Sequence, residues 1–181
     1  MTSPLNIPSA AIDDPTYLTH RHWMSRALEL AQAAGEAGEV PVGAVIVDSK
    51  GNSIATAENR RERDRNPIAH AEILALQAAS QILKTWRLGD CTLYVTLEPC
   101  PMCAGAIVQA RLGLLVYGAD DPKTGATRTV LNIPDSAASC HHLPVLGGIL
   151  ESTCRQQLQG WFARQRHLSK HHLSKSSGHL A

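Results

Sequence analysis

Two short runs, His70-Ala71-Glu72 and Pro99-Cys100-Pro101-Met102-Cys103, constrain this chain most, because each lies where a helix should begin and the two must converge. From Ile68 onward, Ala71, Leu74, Ala75, Ala78 and Ile82 recur at helical spacing. Pro99 and Pro101 suit a helix entrance, where a missing amide hydrogen costs nothing. Cys100 and Cys103, three apart, then share one face of a first helical turn. One imidazole and two thiolates are ligands that tetrahedral zinc takes readily, and a catalytic zinc keeps its fourth position for water. Glu72 diverges from His70 by two steps of the turn, which leaves its carboxylate to handle the water's proton. The partial positive charge of a helix amino terminus favours the thiolate form that a metal needs.

Each fragment alone has plainer readings. An isolated His near a helix start is usually surface or core filler, and a lone C-x-x-C suits a structural zinc knuckle or a redox pair as well as a reactive centre. The combination is more specific. A structural zinc site closes with a fourth Cys or His, yet Cys91, Cys140 and Cys154 show no second paired spacing. A redox pair has no use for His-x-Glu upstream.

A chain of 181 residues with 44% hydrophobic content is long enough for one domain with one core. No apolar run approaches the roughly 20 residues of a membrane span, and the opening MTSPLNIPSAAIDDP lacks a basic segment followed by an apolar one, so the expected location is cytoplasmic. Five cysteines, two of them given to metal, are too sparse for a disulfide framework and imply a reducing compartment. A net charge of +1 does not announce a nucleic-acid binder. Arg60, Arg61, Arg63 and Arg65 crowd the approach to the first run, and Arg155, Arg164, Arg166 and Lys170 gather late. Such clusters can track phosphates, although a charge run is more often a solvated surface.

The periodicities divide the chain into an irregular leader (1–16), one globular domain (17–168) and a Ser/His/Lys-rich tail (169–181) read as disordered. Within the domain, Trp23, Ala27, Leu30, Ala31 and Ala34 mark a first helix that stops at Gly35 and Gly38. Val42 to Val47 and Ser53 to Ala57 read as antiparallel strands around the turn Asp48-Ser49-Lys50-Gly51-Asn52. The His70 helix ends near Leu83. Cys91 to Leu97 reads as a buried strand feeding the Cys100 helix, and Leu114 to Tyr117 as its parallel partner. Ala119 to Pro144 has little periodicity beyond a short helix near Arg128 to Leu131; a loop this long inside a compact domain should line a site. A strand at Val145 to Leu150 and a helix over Thr153 to Arg166 complete a three-layer α/β/α sandwich about a mixed sheet.

These residues together resemble the zinc-dependent nucleobase deaminases, whose signature is H-x-E with P-C-x-x-C. Over Trp23 to Arg166 the chain is similar to the bacterial tRNA-specific adenosine deaminases of the cytidine/deoxycytidylate deaminase superfamily. The segments that carry the likeness are Val40-Pro41-Val42-Gly43-Ala44-Val45, Asn59-Arg60, Ala69-His70-Ala71-Glu72-Ile73, Leu93 to Cys100, Met102 to Ala106, and Gly118-Ala119 with Lys123-Thr124-Gly125-Ala126. The resemblance implies a cytidine deaminase-like fold with a five-stranded sheet and one zinc ion per subunit, held by His70, Cys100 and Cys103. It implies hydrolytic conversion of adenosine to inosine at the anticodon wobble position of an arginine tRNA, by a homodimer. Zinc-activated water would attack carbon 6 while Glu72 shuttles the proton to the ring and to the departing amino group. Asn59 would hold the purine edge, the Ala71 amide would meet atoms around the reacting carbon, Glu98 to Cys100 would border the leaving group, and Lys123 would join the substrate-binding loop.

Two departures stand out. Asp120 follows Gly118-Ala119 where the family commonly has a basic residue, which removes one phosphate contact. In Gly160-Trp161-Phe162-Ala163-Arg164 the family's paired aromatics precede an Arg displaced by one position, so Trp161 and Phe162 are read as stacking or packing residues. The nearest rival is a guanine or other free-base or nucleoside deaminase, which can share the Pro99 to Cys103 spelling. A rival from another class is an inactive zinc-stabilised RNA-binding protein, which the intact Glu72 opposes.

Overall fold

The computed structural model describes residues 14–176, with 169–176 described by backbone alone. Helix α1 (Pro15–Glu36) begins where Asp14 caps it: the Asp14 carboxylate accepts the amides of Thr16 at 2.7 Å and Tyr17 at 3.1 Å, and Pro15 occupies the first turn. Pro15 and Thr16 therefore belong to the helix and not to the leader, whose residues 1–13 lie outside the described part. Strands β1 (Gly43–Asp48) and β2 (Ser53–Glu58) form the expected hairpin. Its turn is held by Asp48, which accepts the amides of Lys50 and Asn52, while Gly51 takes a positive φ of 81°. A short helix α2 (Arg61–Asp64), not expected from periodicity, precedes α3 (Ala71–Leu83). Then follow β3 (Cys91–Leu97), α4 (Pro101–Gln109), β4 (Leu114–Ala119), β5 (Val145–Gly147) and α5 (Glu151–Ser176).

The sheet has five strands in the order β2-β1-β3-β4-β5. β1 runs antiparallel to β2 and β3, whereas β3, β4 and β5 are mutually parallel, so the expected mixed sheet is the one observed. Alternation along the strands builds the layers. Ala44, Ile46, Leu93, Val95, Leu115 and Tyr117 face one side and pack with Ala71, Ala75 and Ala79 of α3 and Ile107 and Val108 of α4. Val45, Val47, Tyr94 and Val116 face the other, against Met24 and Ala27 of α1 and Cys154 of α5. Gly43 permits this second contact: a Cβ there would stand 2.1 Å from the Ala27 carbonyl oxygen.

Three sequence expectations need correction. The last strand stops at Gly147 instead of Leu150, because Gly148 (φ 93°) and Leu150 (φ 53°) turn the chain into α5. Helix α5 runs on to Ser176, through the start of the segment read as a disordered tail; no Gly or Pro interrupts residues 161–176. Residues 177–181 of that tail lie outside the described part. Arg128 to Leu131 is a turn and not a short helix, since the amides of Val130 and Leu131 both bond to the Gly125 carbonyl. The parallel strands β3 and β4 end on the same side, and the chain leaving β3 passes directly through Glu98 and Pro99 to Cys100.

Candidate metal centre and substrate cavity

His70 and Cys100 each stand one residue before a helix. His70 is extended (φ −77°, ψ 151°) ahead of α3, and Cys100 (φ −71°, ψ 171°) ahead of α4. Neither side chain makes a capping hydrogen bond, which leaves both to face each other. Cys103 is fully buried in the first turn of α4. The Nδ1 of His70 lies 3.5 Å from Cys103 Sγ and 3.8 Å from Cys100 Sγ.

Those distances suit a metal. Zinc bonds of about 2.0 Å to nitrogen and 2.3 Å to sulfur, at a tetrahedral angle, separate the two donor atoms by about 3.5 Å. Among the described residues this is the single group of three or more His, Cys, Asp or Glu whose ligand atoms gather within 4.8 Å. All five cysteines are unpaired, with Cys91 and Cys154 buried elsewhere in the core and Cys140 exposed, so no fourth thiol closes the set. One nitrogen and two sulfurs are a zinc donor set, too soft for magnesium or calcium.

The electrostatics point the same way. Burial pushes the Glu72 carboxyl above its usual range, with its own backbone amide and the His70 imidazole opposing; only 4% of the residue is exposed. A hydrogen bond from Cys103 brings Cys100 down to about 4 against burial, with His70 helping. Cys103 is driven far up, first by that same bond and then by burial. A dication held between the two sulfurs would favour the ionised form of both.

Asn59, just beyond β2, is buried beside the centre. Its side-chain oxygen accepts the Ala71 amide at 3.0 Å and its nitrogen donates to the Val40 carbonyl at 3.2 Å. Ala71 is fully buried, and its amide, expected to meet the atoms around the reacting carbon, donates to Asn59 in this structure. A cavity of about 450 Å³ takes in His70, Glu72, Cys100 and Asn59, a size suited to a small-molecule or nucleobase site. Its walls include Arg61, the loop segment from Asp120 to Thr124 with Lys123, and Phe162 of α5. The long loop was expected to line the site, and its first residues do. Glu98 also borders the cavity, but its carboxylate is turned into that loop.

The aromatic pair divides its work. Trp161 is 9% exposed and donates its indole N–H to the Gly35 carbonyl at 3.1 Å, whereas Phe162 reaches the cavity. The arginine cluster divides too. Arg60 pairs with Asp64 and Arg63 with Glu58, while Arg61 faces the cavity. Asp120 accepts from the Tyr117 hydroxyl at 2.9 Å and pairs with Arg128 at 3.0 Å. Sequence reasoning missed Glu39, which is 2% exposed and accepts the amides of Arg63 at 2.9 Å and Glu62 at 3.2 Å. It holds the turn that carries Arg61. The available signal was an acidic residue between Gly38 and the apolar strand entry Val40-Pro41-Val42.

Comparison with known proteins bears on this site. A family model for the MafB19-like deaminases matches residues 18–157. The tRNA-specific adenosine deaminase of Bacillus subtilis is 46% identical over 148 residues, covering 82% of this chain and 91% of that protein. A solved structure of a tRNA:A34 deaminase, described for A-to-I editing at the wobble position of transfer RNA, superposes with a TM-score of 0.73 at 43% identity, covering 75% of this chain and 98% of the other. A guanine deaminase from Nitrosomonas europaea is also similar, with a TM-score of 0.67 at 25% identity over 90% of this chain and 97% of that one.

Proposed function

The chain belongs to the MafB19-like deaminases and stands among the tRNA-specific adenosine deaminases, and from that premise we propose that it hydrolyses adenosine to inosine at the wobble position of an arginine tRNA anticodon. The observation that carries this reading is the open His70, Cys100 and Cys103 centre with a buried carboxylate, Glu72, beside it in one cavity. An inactive zinc-stabilised binding protein has no need of that carboxylate.

His70, Cys100 and Cys103 would hold the zinc ion. When bound, zinc lowers the pKa of a coordinated water to near 7 and polarises it for attack. Glu72 accepts the water's proton, and burial, which pushes its carboxyl above the usual range, favours its holding that proton. Water adds at carbon 6 of the purine, Glu72 delivers that proton to the ring nitrogen, then takes the second proton from the new hydroxyl and passes it to the amino group, and ammonia leaves as the carbonyl of inosine forms. Asn59, fixed by Ala71 and Val40, keeps one side-chain N–H for the edge of the base. Arg61 and Lys123 on the cavity wall supply positive charge toward the flanking phosphates. A base in an anticodon loop must be splayed out to enter such a site.

The same reading includes a homodimer and a cytoplasmic location. Ile82 and Trp86, 58% and 53% exposed at and just beyond the end of α3, support a partner surface. Unpaired thiols support a reducing compartment, and among the described residues no helix is long and apolar enough to cross a membrane.

The test is inosine formation on an unmodified arginine tRNA anticodon stem-loop, with free adenosine, guanine and cytosine run beside it. Conversion of the stem-loop alone is expected. Turnover of guanine alone would keep the hydrolytic chemistry and replace the substrate.

A further inference from the structure

We propose that Glu98 is a positioning residue whose carboxylate fixes the substrate wall of the cavity, so that substrate binding depends on it more than the chemical step does. The proposal rests on the RNA-adenosine reading for its substrate, but its structural part stands on the following contacts. Glu98 is 2% exposed. One carboxylate oxygen accepts the amides of Thr127 at 3.2 Å, Arg128 at 2.9 Å and Thr129 at 3.0 Å, together with the Thr127 hydroxyl at 3.2 Å. The other accepts the Asp121 amide at 3.1 Å. The donors come from both ends of a segment, 120–129, that belongs to no helix or strand. Only a group with acceptor capacity on both oxygens meets all five.

The wall is then built outward from this carboxylate. The Asp121 side chain accepts the Lys123 amide at 2.9 Å and the Thr124 hydroxyl at 2.6 Å. Asp121, Lys123 and Thr124 all border the cavity. Gly125 leaves the space that Glu98 fills, since a Cβ there would stand 2.2 Å from the carboxylate oxygen that takes the Asp121 amide. In the opposite direction along the chain, Glu98 is followed by Pro99 and the ligand Cys100, and the Pro99 carbonyl accepts the Ala126 amide at 2.9 Å. One strand end therefore carries a metal ligand and also anchors the wall facing it.

Glu98→Gln isolates the effect. With its oxygen toward Thr127, Arg128 and Thr129, its new NH2 group opposes the Asp121 amide, donor against donor. The zinc-loaded variant is compared with wild type for zinc per chain, amide hydrogen exchange over 120–129 and over β1, β3 and β4, and KM and kcat on the arginine tRNA stem-loop. Zinc content and strand exchange should be unchanged, exchange at 121–125 should quicken, and KM should rise about tenfold with kcat within about twofold, the scale expected for one lost bond to a charged group. Gly125→Ala, which crowds the same carboxylate, should reproduce the pattern without touching residue 98. Unchanged KM and exchange in both variants would overturn the proposal, as would a fall in kcat with loss of zinc, which would assign Glu98 to the metal centre instead. A wild-type chain inactive on the stem-loop, with the same change in exchange, would refute the RNA reading and leave the wall assignment in place.

Discussion

At the scale of single residues, His70, Glu72, Cys100 and Cys103 do different work although they lie together. Three can hold a metal ion and the fourth, in the proposed mechanism, carries a proton, which separates their expected phenotypes. Glu72→Ala should keep about one zinc per chain and lower deamination by roughly a hundred- to ten-thousand-fold, the range for removing a general acid-base group; an active variant would remove Glu72 from the mechanism. Cys103→Ala should lose zinc by elemental analysis and lower the thermal midpoint, because metal affinity and folding are coupled. Full zinc content in that variant would contradict the ligand set. That these four residues gather at one site was readable in the sequence, because local spacing at two helix starts encodes it. The Asn59 to Ala71 bond, the turn of the Glu98 carboxylate into the loop, and the anchoring by Glu39 were not. Each joins positions that no local pattern relates, and a buried carboxylate serving backbone amides has the same spelling as an exposed one.

At the scale of elements, helices and strands with strong periodicity were legible and irregular ones were not. α3, β3 and the parallel crossover through α4 to β4 follow from apolar spacing and from prolines at the α4 entrance. The four-residue α2 has no apolar stripe to announce it, and its position depends on Glu39 from a distant segment. The loop after β4 looked like a helix at Arg128 because its composition permits one, but the amides that a helix would use are taken by Glu98 and Gly125. Where α1 crosses β1 the contact is backbone on backbone. Gly43→Ala should therefore destabilise the fold by about 3 kcal/mol or more, the upper range for overpacking a core, measured by denaturant unfolding of the zinc-loaded chain. A change below about 0.5 kcal/mol would mean that α1 can shift freely from the sheet.

At the scale of the whole molecule, the mixed sheet brings together what the sequence separates. Its parallel half ends at Glu98 to Cys100, its antiparallel hairpin ends at Asn59, and α3 brings His70 and Glu72 up between them. The layers exist because strand alternation buries one face against α3 and α4 and the other against α1 and α5. The central claim is that water is the nucleophile at this centre and that an RNA adenosine is its target. The stem-loop reaction run in water enriched in heavy oxygen, followed by mass analysis of the released nucleosides, tests both parts at once. One heavy oxygen in inosine from the wobble position is the expected result. Unlabelled inosine would contradict hydrolysis, and no inosine at all would contradict the substrate.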